Sequence, residues 1–491
     1  MSLRRTSPRP GRIEPHVKRV AIVIVLGSIM SILDTTIVNV ALDSLHRDLH
    51  SSLSTIQWVV SAYLLALGAV IPLTGWAVRR WGAFRIYMQA LVLFTLGSAL
   101  CAFATTSGEL IAFRALQGVG GGMLVPTGMT LLVQASGPDN LPKVMSAIGI
   151  PMVIAPVFGP TLGAFLLQSV SWHAIFLVNV PIGIVTAIVA VRLLPRPPVE
   201  REKAGPLDWI GLLLAATGTV GITYGLSQSA TAGSFTSNDV VFPIVVGLLL
   251  VAAFVVRTKR IKNPLLDLSL FRNRAYSSSS LTMFCLGAAM FGAMILLPLY
   301  FQVARGQDAI HTGIFLIPQG VGASIGMNRS AYLTSRLGAG LTSLLGGVIL
   351  AGATAPFLFI GANTPYALIG LPMVIRGVGI GFAMMPAMTA AFATLEHDQI
   401  NDASPQLNVI QRVGGSLGTA VVAVVLQSKL THAAAVGSPA ASAFASSYWW
   451  VMGLTLVGLL PTVVLWRVER QARAEGRETL MPEDALIEVA A

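Results

Sequence analysis

The sequence predicts an all-α polytopic membrane protein, and three observations carry that prediction. The 491 residues are 54% hydrophobic and only 11% charged, with a mean hydropathy of +0.75, whereas a soluble globular chain carries about 25% charged residues. Apolar segments close to the ~20 residues that a bilayer crossing needs recur along the chain. The basic residues fall almost entirely in alternate connections between those segments, as an oriented membrane topology requires.

Fourteen segments can be marked: 20–42, 55–78, 86–104, 109–135, 144–168, 174–193, 208–228, 241–257, 276–303, 310–335, 341–361, 366–395, 403–430 and 447–466. With both termini in the cytoplasm, 25 of the 32 Lys and Arg residues lie on that side. Arg47, Arg305 and Lys429 lie on the other side, and Arg114, Arg329, Arg376 and Arg412 fall within spans. The net charge of +11 is therefore a topology signal set against anionic lipid and gives no case for nucleic acid. The basic start MSLRRTSPRPGRIEPHVKR runs into a span too long for a signal-peptide core, so no cleavable signal is expected. The predicted location is the inner (cytoplasmic) membrane.

Two long polar connections, 194–206 and 258–274, bracket spans seven and eight. The chain thus parses into a basic N-terminus (1–19), a six-helix bundle (20–193), linkers with two inserted transmembrane helices (194–275), a second six-helix bundle (276–466) and a cytoplasmic tail (467–491). An internal repeat supports this parse. Arg80-Trp81-Gly82-Ala83 is matched 256 residues on by Arg336-Leu337-Gly338-Ala339, and Gly159-Pro160-Thr161-Leu162-Gly163 is matched by Gly414-Gly415-Ser416-Leu417-Gly418. Arg114, a glycine run, Pro126 and Met129-Thr130 are matched by Arg376, a glycine run, Pro386 and Met388-Thr389. Paired halves with a site between them near the midplane are a transporter plan.

Span one carries one charge, Asp34. A carboxylate inside the hydrocarbon region is costly and marks a proton relay or a packing pair. Asp34 lies about 21 Å from the cytoplasmic end of its helix, and Arg114, on a span running the other way, lies about 8 Å below the outer face. Both then sit at one depth in the outer half and are expected to pair. A neighbouring cation favours an ionised carboxylate and desolvation a neutral one, so such a site can be switched by moving the arginine or admitting a substrate. The alternative is a static ion pair. The residue 256 after Asp34 is Met290, so the carboxylate belongs to one half only. Glu109, at the outer start of span four, is either a proton relay or a solvated charge matched to the helix dipole.

Gln117 lies one turn from Arg114 and can hydrogen-bond to it. The glycines Gly118, Gly120, Gly121 and Gly122 suit close helix approach; without a preceding strand or a Lys-Ser/Thr pair they are not a phosphate loop. In span five, Pro156, Gly159, Pro160 and Gly163 suit either a bend on which the halves close or tight packing. Asn408, Gln411 and Arg412 form one polar face of span thirteen, and with Gln117 and Arg376 they are expected to line a substrate cavity. Arg329 lies near the cytoplasmic end of its span and can snorkel. The C-terminal half thus offers cationic and amide groups and no buried acid. Cys101 and Cys285 fall in apolar spans, and the histidines lack partners at ligand spacing, so no metal, disulfide or enzyme chemistry is expected.

The stretches LDTTIVNVAL (33–42), STIQWVVSAYLL (54–65), RALQGVGGG (114–122), APVFGPTLG (155–163), FLVNVPIG (176–183), PLLDLSLFRNR (264–274) and LNVIQRVGGSLG (407–418) resemble signatures of the fourteen-span drug:proton antiporters of the major facilitator superfamily, the EmrB/QacA type. The resemblance covers nearly all of residues 20–466. It implies the major facilitator fold, with Asp34 and Arg114 as the proton-coupling pair and Pro156, Gly159, Pro160 and Gly163 as the antiporter hinge. The stretch GWAVRRWG, with Gly75, Arg79, Arg80 and Gly82, resembles the cytoplasmic gating loop, but Arg79 stands where the superfamily usually has Asp. The usual gating salt bridge is thereby left without its acid. His173 stands where the family often has Arg.

The resulting expectation is a proton-coupled antiporter that exports amphipathic small molecules, drugs or secondary metabolites, by alternating access. Arg376 and Arg412 favour neutral or anionic compounds over dications. No cofactor is expected beyond the proton gradient. The expected partners are protons, substrate and membrane lipids, on a monomer, with a periplasmic adaptor protein left open. A lipid or fatty-acid exporter on the same fold, and a transport-dead sensor, are the alternatives.

Overall fold

Each apolar segment marked in the sequence falls in helical structure, and no strand occurs among the described residues. The structure, a computed structural model, describes residues 15–195, 205–261, 264–396 and 399–475. The α-helices in chain order are α1 (Pro15–Ile37), α2 (Leu42–Asp48), α3 (Leu53–Trp81), α4 (Ala83–Ala102), α5 (Ser107–Ser169), α6 (Trp172–Leu177), α7 (Asn179–Leu193), α8 (Trp209–Ala232), α9 (Asn238–Thr258), α10 (Arg274–Leu299), α11 (Ala309–Leu337), α12 (Ala339–Thr354), α13 (Tyr366–Ala393), α14 (Ile400–Val436) and α15 (Ala440–Ala474).

Among the described residues, 12 helical stretches are long and apolar enough to cross a membrane. Two of the fourteen marked segments fall outside that number. In 144–168 several side chains lie outside the described set, and 310–335 is the more polar α11, with Gln319, Asn328 and Arg329. Large apolar side chains face outward along the helices, including Phe242, Leu249, Leu371 and Leu460. The chain is an all-helical, multi-pass membrane protein.

Spans four and five form one unbroken helical stretch, α5, of 63 residues. A straight helix of that length would run about 95 Å, three membrane thicknesses. Instead the chain reverses. The backbone of Gly128 packs on Ile24 and that of Gly121 on Ser31, while Gly163 returns to Ile37 on the same helix α1.

Helices α1 and α3–α7 pack on one another, as do α10–α15. The two groups meet where α5 lies along α11. On another side α8, paired with α9, packs against both α3 and α14 and so bridges the groups. Asp208 caps the start of α8 through the Gly211 N–H (2.9 Å) and pairs with Arg257 at the end of α9 (2.8 Å), which ties the inserted helices together.

The repeat read in the sequence is visible in the turns. Gly82 and Gly338 follow α3 and α11 with φ of +87° and +91°. Each donates its N–H to a carbonyl four residues back, Val78 at 2.8 Å and Thr334 at 2.9 Å. An L side chain is strained at such φ, which accounts for glycine at both places. These turns share one end of the bundle with His16, Ala135, Gly205, Asp267 and Arg473, joined by hydrogen bonds across it. This is the basic end.

Candidate functional site

Four helices converge on Asp34 inside the N-terminal bundle. Arg114 Nη1 donates to Asp34 Oδ2 at 2.5 Å, Gln117 Nε2 donates to Oδ1 at 2.9 Å, and Asn179 Nδ2 donates to Oδ1 at 3.2 Å. Arg114 is held in turn by the Val59 carbonyl (3.0 Å) and Gln117 Oε1 (2.8 Å), and it stacks over the Tyr63 ring at 4.1 Å. Asn179 is oriented by Ser98 Oγ at 3.1 Å. Asp34, Arg114 and Gln117 are each 0% exposed. Burying this ion pair is tolerable because each carboxylate oxygen has a donor and the guanidinium has more than one acceptor.

Local packing brings the groups this close. Side-chain carbons on Gly118 and Gly122 would collide with the backbone of α3, and one on Gly120 with the backbone of α4. The glycine run therefore lets α5 sit at backbone distance from two neighbours, which places Arg114 and Gln117 beside α1. Asn179, Ser98 and Tyr63 were not among the residues singled out in the sequence. The signal for Asn179 was present, an amide inside the apolar stretch FLVNVPIG, with the same cost argument that identified Asp34.

Gln117, expected in the substrate cavity, thus belongs to the carboxylate cluster. Glu109 does not join it. Its carboxylate accepts from the Thr105 N–H (2.8 Å) and hydroxyl (2.9 Å) and forms a capping box with Thr106 at the start of α5. Gly159 and Gly163 lie against Thr36 and Ile37, within one turn of Asp34, and a side chain at either would meet α1. The side chains of Pro156 and Pro160 lie outside the described residues.

The C-terminal bundle is different. Arg376 is 1% exposed, and its Nε and Nη2 have no hydrogen-bond partner. Its Nη1 reaches Gln319 Oε1 only at 3.5 Å. On α14, Asn408 bonds to its own helix through the Ser404 carbonyl, and Gln411 lies 4.0 Å from Met384 Sδ. Gln411 borders a small internal cavity with Leu286, Met290, Leu350, Ile380 and Met384. Arg412 is half-buried, within electrostatic range of Tyr63 of the N-terminal bundle. No His/Cys/Asp/Glu cluster suited to a metal occurs among the described residues.

Residues 24–419 match the Major Facilitator Superfamily family model. The chain belongs to the major facilitator superfamily. It is 39% identical over 427 residues to a multidrug resistance protein B homolog of Mycobacterium tuberculosis, covering 86% of this chain and 78% of the relative. It is 31% identical to the methylenomycin A resistance protein of Bacillus subtilis, covering 85% and 89%. The fold is shared with the proton:xylose symporter XylE, with a TM-score of 0.63, 14% identity and coverage of 91% and 95%. The human organic anion transporter MFSD10 has the same fold, with a TM-score of 0.61, 16% identity and coverage of 92% and 100%. Family and fold are those of a transporter.

The two bundles also meet through polar side chains. Here polar contacts between them lie toward the basic end. Arg79 pairs with Asp402 of α14, and Gln134 Nε2 donates to Asn401 Oδ1 at 3.0 Å. The Ser146 and Ser330 hydroxyls meet at 2.9 Å, and Ser404 Oγ donates to the Pro126 carbonyl at 2.9 Å. Gly75 permits the approach, since a side chain there would lie 2.9 Å from the Asn401 carbonyl and the Asp402 carboxylate. Arg80 is exposed beside this contact.

Two sequence expectations are corrected here. Arg79 does not leave the gating loop without an ion pair: it pairs with Asp402 of the C-terminal bundle. The C-terminal half does contain a buried acid, Asp402, 8% exposed. Placing the start of span thirteen at 403 left Asp402 in the preceding loop, whereas α14 begins at Ile400.

Proposed function

We propose that this chain is a proton-coupled antiporter that exports amphipathic small molecules, drugs or secondary metabolites, by alternating access. It crosses the inner membrane fourteen times, with α8 and α9 as the inserted pair and the basic end and both termini in the cytoplasm. The observation that carries the reading is the fully buried Asp34–Arg114 pair, with Gln117 and Asn179 completing the carboxylate's hydrogen bonds. Its relatives' names supply the drug class, and the split of basic residues supports the orientation.

In this arrangement the bundles touch at the basic end and Asp34 is ion-paired. A proton arriving from the outer side neutralises Asp34 and weakens its hold on Arg114, which frees α5 to shift on α1 at Gly159 and Gly163. The Arg79–Asp402 contact then opens, the proton leaves to the cytoplasm, and substrate loads between the bundles. Arg412, Gln411 and Asn408 of α14 form the substrate-facing wall, with Gln117 and Arg376 buried behind it; a cationic wall favours neutral or anionic compounds. Each proton moving down 100 mV supplies ~2.3 kcal/mol, enough for a tens-fold substrate gradient.

The test is Asp34→Asn in proteoliposomes with an imposed pH gradient. Substrate efflux driven by the gradient is expected to vanish while substrate exchange at equal pH persists. Retained proton-driven efflux would remove Asp34 from the coupling role.

A further inference from the structure

The two bundles bury corresponding arginines, but among the described residues only one has a counter-charge. Arg114 meets Asp34; the residue 256 after Asp34 is Met290, and the residue 256 after Tyr63, on which Arg114 stacks, is Gln319. Gln319 is the residue that reaches Arg376, at 3.5 Å. The second half thus keeps a buried arginine, while the residue at the sequence position matching Asp34 carries no charge.

What surrounds Arg376 is polar and incompletely bonded. Its Nε and Nη2 are buried without partners, and so is the hydroxyl of Tyr448 on α15. Tyr448 lies within electrostatic range of the guanidinium, and its ring is fixed by stacking on Phe357 at 5.0 Å. Three acids of this half are engaged at its ends. Asp308 bonds to His311, Asp402 pairs with Arg79, and Glu469 accepts from the Ala339 and Gly340 N–H groups. A guanidinium stays protonated at any physiological pH, and burying it unpaired is strongly unfavourable.

We infer that Arg376 binds a small monovalent anion of halide size inside the C-terminal bundle, with the Gln319 amide and the Tyr448 hydroxyl as further donors. One guanidinium calls for one negative charge. Space also argues for an ion rather than a drug. The backbone of Gly377 lies against Gln319 and Ala323 of α11, and that of Gly379 against Leu350 of α12, so the helices close around this turn of α13. The anion supplies the counter-charge that the Asp34 carboxylate supplies in the other half, and it does so whatever substrate is carried.

The test uses the purified full-length protein in detergent, without substrate. Its thermal unfolding midpoint is followed against sodium chloride, bromide or acetate, with gluconate holding ionic strength constant. Chloride and bromide are expected to raise the midpoint saturably by several degrees. Stabilisation by acetate but not by halide would assign the site to a carboxylate group instead of an inorganic ion and overturn the halide assignment. Arg376→Gln is expected to abolish the dependence, and Tyr448→Phe to weaken halide affinity severalfold. Gln319→Glu places a carboxylate within reach of Arg376, so it is expected to raise the midpoint in gluconate and remove the response to halide. This variant decides the matter even if Arg376→Gln does not fold. No halide-specific shift in the wild type, or one that survives in both Arg376→Gln and Gln319→Glu, would overturn the inference.

Discussion

Each half of the molecule buries an arginine on a glycine-rich helix, and the halves treat it in opposite ways. In the N-terminal bundle, Arg114 has a carboxylate at 2.5 Å, a backbone carbonyl at 3.0 Å and an amide oxygen at 2.8 Å. In the C-terminal bundle, two of the three Arg376 nitrogens have no partner. The difference teaches that a repeat conserves packing more readily than charge. The glycines that let α5 and α13 approach their neighbours occur in both halves, while the acid occurs in one. One bundle thereby holds an internal ion pair that protonation can break, and the other a fixed cation.

The largest expected effect breaks this comparison if it fails. Arg114→Gln strands the Asp34 carboxylate in a fully buried site, and such a loss costs about 3–5 kcal/mol. Arg376→Gln, measured in gluconate, removes a charge with no protein counter-charge and is expected to cost no more than about 1 kcal/mol or to stabilise. Denaturant unfolding of the two variants in the same detergent compares them directly. Equal losses would mean that Arg376 has a protein partner as strong as Asp34.

A smaller effect sharpens the account of the N-terminal cluster. Asn179→Ala removes the third donor to Asp34 and leaves Ser98 without that contact. A hydrogen bond to a charged group is worth about 1.5–3 kcal/mol, and at 3.2 Å the lower part of that range is expected. The same variant should change the pH at which proton-driven efflux is half-maximal, because the ionised form of Asp34 loses a donor. A stability loss with an unmoved pH profile would make Asn179 a packing residue.

Much of this architecture was legible in the sequence, and the rest failed for identifiable reasons. Asp34 and Arg114 could be brought together from helix rise and membrane thickness alone, because a spanning helix converts residue number into depth. Depth carries no information about rotation around the bundle, so Gln117 was assigned to the cavity when it faces Asp34. Tyr63 escaped because its partners Ser31 and Arg114 lie on other helices, at separations no local pattern encodes. Asp402 escaped through a three-residue error in a helix start, the least secure part of any reading of periodicity. The reversal inside α5 was legible in hydropathy, whereas the unbroken helical backbone through it was not.

The smallest effect concerns the contact between the bundles. Arg79 stands where the gating-loop motif usually has Asp, and the side chains of Arg79 and Asp402 are 18% and 11% exposed. Partial screening limits the pair to about 1 kcal/mol. A difference of that size barely alters unfolding, yet it shifts a two-state equilibrium between open and closed basic ends by about fivefold. Arg79→Asp sets two carboxylates against each other and should raise the population open at the basic end. The double variant Arg79→Asp with Asp402→Arg restores an attraction of the opposite sense. Spin-label distances across the basic end are expected to lengthen in the single variant and return in the double one. If the single variant leaves the distances unchanged, the bundles are held by Gln134, Ser146 and Ser404 alone. If the double variant fails to restore them, the geometry around Gly75, rather than the charge pairing, decides closure.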